Sequence, residues 1–215
     1  MHQHETTAAP PHAHTQLLAL LRDSFIGVAD ATHTFQGLLR RRLREIDRKA
    51  LNAQVLVKRH GKDLAGYGVV AQSFREGAQQ LQAAASEVQQ TIHPLMLGFM
   101  DALRNAQSLD RLLVLPERIQ RLPQLQAAIG RGETTLKQNT ERSRRSGSRL
   151  RKTLEHFENV VAGLEYVVVN GRIEAALKGD ARAALAQVSA DMDLAVRQVR
   201  DLLAKYTQDI EKALP

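Results

Sequence analysis

From Leu17 almost to its end the chain repeats apolar residues at alternating three- and four-residue steps, and this spacing leaves few folds open. Side chains three and four apart share one face of an α-helix, whereas a strand alternates every second residue, so the pattern demands long helices packed along a common seam. The first series is Leu18, Leu21, Phe25, Val28, Phe35 and Leu39; it shifts by one residue and resumes as Leu43, Ile46, Ala50, Ala53 and Val57. Such a shift is a local register adjustment within a bundle helix. A second series, Val70, Phe74, Gly77, Leu81, Ala84, Val88 and Leu95, continues toward Ala106, with Pro94 expected to kink it. The third, Leu150, Leu154, Phe157, Val161, Leu164 and Val168, lies in a region from about Leu125 to Lys178 that Ser146-Gly147-Ser148 is expected to interrupt. The fourth, Leu185, Val188, Met192, Ala195, Val199, Leu202 and Tyr206, is the most regular.

Between the seams stand the breaks. Gly61 and Gly66 bracket Lys62-Asp63-Leu64-Ala65, and Gly179-Asp180 separates the third and fourth series, so Gly61, Gly66 and Gly179 are read as hairpin-turn residues. Pro116 and Pro123 mark a connector over 108–124. Residues 1–14, with Pro10 and Pro11 and little to bury, read as a disordered tail. The expected fold is all-α: an elongated antiparallel four-helix bundle with coiled-coil-like packing, its hairpins spanning 15–107 and 125–215 and sharing one core. At a rise of about 1.5 Å per residue, each helix would measure about 50–80 Å.

Composition excludes several functions. The 215 residues include neither Cys nor Trp, so no disulfide framework or thiolate metal site is available, which fits a reducing cytoplasm. No apolar run approaches the roughly 20 residues of a membrane span, and no secretory leader is recognisable. No nucleophile motif, phosphate-cradling loop or metal-ligand cluster is present, so the chain reads as non-catalytic, with no cofactor and no metal. His2, His4, His12 and His14 have no carboxylate or thiolate partner to fix a metal geometry. The formal charge is +7, with basic residues gathered at Arg40, Arg41, Arg42, Arg44, Arg48 and Lys49 and again at Arg142, Arg144, Arg145, Arg149, Arg151 and Lys152. These clusters allow an alternative reading as a basic helical protein for nucleic acid or an anionic surface, though there is little aromatic interleaving to stack bases.

The most specific stretch is Ala50-Leu51-Asn52-Ala53, Arg59, Gly61, Gly66-Tyr67, Val69-Val70-Ala71 and Arg75. Over about 26 consecutive positions it resembles the cytoplasmic signalling hairpin of methyl-accepting chemotaxis proteins, and the likeness covers about 45–90. In that family the segment forms the end of a descending helix, the turn and the start of an ascending one. Two receptor chains pair their hairpins into a four-helix bundle whose tip contacts a histidine kinase and an adaptor protein. A weaker copy lies 118 positions on: Asn170, Ile173-Glu174-Ala175-Ala176, Gly179, Val188-Ser189 and Met192. One chain then holds two hairpins, enough for the bundle that receptors make by dimerising.

The resemblance implies partner-binding positions near the tip, namely Leu56, Arg59, Val69, Glu174 and Leu177, and a chemotaxis-type histidine kinase or its adaptor as partner. Where the family carries a Glu and, three residues on, an Arg, the first copy has Leu56 and Arg59 and the second Glu174 and Leu177. The aromatic position that gathers receptor dimers into clusters is Arg44 in one copy and Ala162 in the other. Gln79, Gln80, Gln89 and Gln90 match halves of the family's methylation pattern and are the candidate modification sites. The first alternative class, ahead of the basic helical reading, is a histidine phosphotransfer protein using His60, whose His60-Gly61-Lys62 spacing departs from that family's pattern.

Overall fold

The computed structural model describes residues 11–60, 64–177 and 182–214. Its elements are α1 (Pro11–His60), α2 (Ala65–Leu113), the short α3 (Glu117–Gln120), α4 (Pro123–Leu177) and α5 (Arg182–Ala213). The fold is all-α, and among the described residues there is no strand. Helix α1 packs on α2 and α5, and α4 packs on the same two, so α1 and α4 face each other across one diagonal and α2 and α5 across the other. Both hairpin ends lie together: a methyl group added at Gly66, in the first turn of α2, would sit 2.9 Å from Glu174 near the end of α4. Fifty residues of α1 correspond to about 75 Å of helix.

The core follows the four predicted seams, except that on α5 Val188 and Leu202 are only half-buried while Val196, Leu203 and Ile210 are buried. Phe35, Leu39, Leu43 and Ile46 are buried on α1, Phe74, Leu81 and Val88 on α2, Leu154, Phe157, Val161 and Leu164 on α4, and Met192, Val199 and Tyr206 on α5. Each such side chain contributes about 1.5–3 kcal/mol by leaving water. The shift in α1 falls at the successive four-residue steps Phe35, Leu39 and Leu43, and the helix passes through it unbroken. Residues 118 apart hold equivalent places: Ile46 and Leu164, Ala50 and Val168, Phe74 and Met192, and Leu81 and Val199 are all buried.

The boundaries differ from expectation in four places, each for a local reason. α1 begins at Pro11, within the stretch read as a tail; proline suits a first helical position because its missing N–H has no intrahelical partner there anyway. α2 runs to Leu113 because nothing before Pro116 stops it and Leu109 still buries in the seam, so the connector narrows. There Gln120 Nε2 donates to the carbonyls of Leu113 and Leu115 at 2.7 and 2.6 Å, satisfying acceptors left over where α2 ends. Ser146-Gly147-Ser148 does not interrupt α4, since a methyl at Gly147 would lie only 3.2 Å from Leu214 Cδ1 and the glycine serves packing. Finally, Gly66 is not a loop residue but lies inside α2. There it lies beside the carboxylate of Glu174, and its backbone is helical.

Two tyrosines buried among the seams are paired, whereas the side-chain oxygen of Gln198 is buried without a hydrogen-bond partner among the described residues. The Tyr67 hydroxyl meets Ser189 Oγ at 2.9 Å across the α2–α5 diagonal, and Tyr206 meets Thr32 Oγ1 at 3.0 Å while its ring stacks on Phe35 with centroids 4.1 Å apart. Burial pushes the Tyr206 hydroxyl up to about 12 and raises that of Tyr67 as well. An unfolded tyrosine ionises near pH 10, so the folded chain holds more protons than the unfolded one between about pH 10 and 12. The stabilisation is therefore complete below pH 10 and lost as pH rises through that window, by about 2–3 kcal/mol for Tyr206. Thermal melts at pH 9 to 12 should show this fall in the native chain and a shallower one in Tyr206→Phe; parallel curves would contradict it.

Candidate functional site at the hairpin end

The residues singled out in the sequence gather where α1 and α4 end and α2 and α5 begin. Lateral ion pairs hold the four helices in register toward this end: Lys49 with Asp191 joins α1 to α5, Arg75 with Asp47 joins α2 to α1, and Arg172 with Asp193 joins α4 to α5. The Lys49 ammonium donates to Asp191 and holds its carboxyl below the usual range. Below them, Tyr67 and Leu185 are fully buried and close the core. The end of the bundle is thus a packed platform, and what it presents to solvent is its outer surface.

On that platform Val69 is 70% exposed, an aliphatic side chain standing in water on the first turns of α2. Arg59 is exposed near the end of α1, whereas Leu56 is half-buried and packs against the core. Glu174 is half-buried, its carboxylate lying against Gly66. Arg59 and Glu174, both singled out in the sequence, stand on diagonally opposed helices and form no ion pair with each other. Gly61, Gly179 and the side chains of His60 and Leu177 lie outside the described residues. Gln79, Gln80, Gln89 and Gln90 are all exposed on α2. Of the small residues beside them, Ala83 and Ser86 are exposed but Ala84 and Ala85 are buried in the core, so only half of each small flank is open.

Sequence reasoning missed a second set of exposed apolar residues at this end. Tyr166, Val169 and Ile173 form a stripe on the outer face of α4, and Leu51 and Val55 do so on α1. Their three- and four-residue steps were visible but ran beside the core seams, and periodicity alone does not say which of two parallel stripes faces inward. Among the described residues no three His, Asp or Glu side chains converge, and no helix is long and apolar enough to cross a membrane.

No family model, curated protein or solved structure matches this chain.

Proposed function

We propose that the chain is a non-catalytic, chemoreceptor-like signalling module of the cytoplasm, whose hairpin end is a docking platform for a chemotaxis-type histidine kinase or its adaptor. The observation that carries this reading is Val69. It occupies a position resembling an adaptor-contacting one in the receptor family, and it is left exposed at the end where both hairpins meet. An aliphatic side chain held in water on a rigid helix suits it to burial by a partner. The common burial of residues 118 apart supports a duplicated hairpin, in which one chain builds what receptors build from two.

The four long helices meet in four separate interfaces, so the bundle passes information by shifts in helix packing and needs no reacting group. Each half retains one of the two charged tip residues, and restoring the missing ones is the direct test. The double substitution Leu56→Glu with Leu177→Arg is expected to raise affinity for an immobilised adaptor about tenfold, the worth of one hydrogen bond to a charged group. Val69→Glu is expected to abolish binding without lowering helicity, because the side chain is exposed. Absence of binding by both the native chain and the double variant overturns the reading.

A further inference from the structure

We infer that the outer face of α1 is a docking surface for an anionic lipid bilayer. Arg41, Arg44, Arg48, Leu51, Val55 and Lys58 fall at steps of three, four, three, four and three, and all six are exposed. They form one straight outward stripe, opposite the core seam of the same helix. Over 18 residues it is about 27 Å long.

Its charge is available. Among the described residues Arg41, Arg44 and Arg48 have no carboxylate partner, and the acids beside them are engaged elsewhere, Glu45 with Arg42 and Asp47 with Arg75. Three guanidinium groups held unpaired within two helical turns are matched by a surface of closely spaced anions, whose attraction is worth about fivefold in affinity per cation.

The aliphatic part decides between anionic partners. Leu51 and Val55 are 48% and 40% exposed and lie between the arginines and Lys58, with Val69 exposed on the neighbouring α2. Phosphate groups of a nucleic acid offer such residues nothing to bury against, and no aromatic side chain stands on the stripe to stack a base. A bilayer interface takes both parts: lipid phosphates meet the guanidinium groups while the aliphatic tips enter the headgroup boundary. The matching face of the second hairpin, 118 positions on, is Asn159, Ala162, Tyr166, Val169, Ile173 and Ala176, without a single charge. The cationic stripe therefore belongs to one side of the bundle and orients it. It is separate from the kinase-docking reading, and binding is measured with no partner protein present.

The test is sedimentation of the full chain with vesicles of phosphatidylcholine alone or with about one-third phosphatidylglycerol. Binding is expected only to the anionic vesicles and is lost at about 1 M salt, where screening acts within about 3 Å. Arg44→Gln with Arg48→Gln should weaken it roughly 20–30-fold. Removing the same charge from the α4 cluster, by Arg149→Gln with Lys152→Gln, should change it less than about threefold. Leu51→Gln with Val55→Gln should weaken binding yet keep its salt dependence. All these positions are exposed, so unchanged melting temperatures are expected. Equal binding to neutral vesicles, no binding at low salt, or equal losses for the two arginine-cluster variants would overturn the assignment. So would binding to duplex DNA that is tighter than to vesicles and indifferent to Leu51→Gln with Val55→Gln.

Discussion

Replacing Tyr206 with alanine is expected to lower the unfolding free energy by about 4 kcal/mol, the usual loss for a fully buried aromatic. The ring is 2% exposed, stacks on Phe35 at an interplanar angle of 7°, and places its hydroxyl on Thr32. Removing it leaves a cavity between α1 and α5 and strips Thr32 of its buried partner, so transfer, packing and hydrogen-bond losses act together. Urea denaturation followed by helicity reads the change directly. A loss below about 1 kcal/mol would mean that α1 and α5 do not meet at this level.

The second large effect is a contrast between two identical substitutions eight residues apart on α4. At Gly171 an added methyl would lie 2.9 Å from Val70 Cγ1, 3.0 Å from Phe74 Cζ and 3.2 Å from Ser189 Oγ, on α2 and α5. At Gly163 it would meet nothing within 4 Å. Alanine gains about 1 kcal/mol over glycine in a helix interior, and overpacking a filled site costs about 1–3 kcal/mol. Gly163→Ala should therefore stabilise the chain while Gly171→Ala destabilises it, with a difference of about 3 kcal/mol between them. Two equal shifts would show that α2, α4 and α5 do not converge on Gly171.

Those glycines also show how far the sequence was legible. Where a helix has one repeating demand, as along Leu150 to Val168, the spacing of large side chains reveals the buried face, and the structure follows it. Glycine is ambiguous, because the same residue serves a turn, a weak point or a close approach. Gly66 and Gly147 read as breaks, yet each lies inside a helix against a side chain from another element, Glu174 and Leu214. The Tyr67–Ser189 hydrogen bond was equally invisible, since it joins residues 122 apart across a diagonal and depends on how two helices face each other.

At the hairpin end the resemblance singled out Leu56, Arg59, Val69, Glu174 and Leu177, and composition singled out the arginine cluster. The three- and four-residue steps that align Arg41, Arg44 and Arg48 with Leu51 and Val55 are written in the sequence, but their common exposure depends on how the neighbouring helices cover α1. The carboxylate partners that leave those arginines unpaired are set by tertiary neighbours, such as Arg75 on α2 reaching Asp47. Charge counts alone carry no such information.

Everything proposed for the hairpin end depends on a single chain bringing both its reversals to one end of one bundle. The chain has no cysteine, so two can be introduced and spin-labelled without competition, at Arg59 and Ile173, with labelled chains diluted into unlabelled ones. Helix axes in contact lie about 8–10 Å apart, so an intrachain bundle predicts a separation below about 40 Å that dilution leaves unchanged. A separation near 70 Å, the length of one of the long helices, would place the two reversals at opposite ends and contradict it.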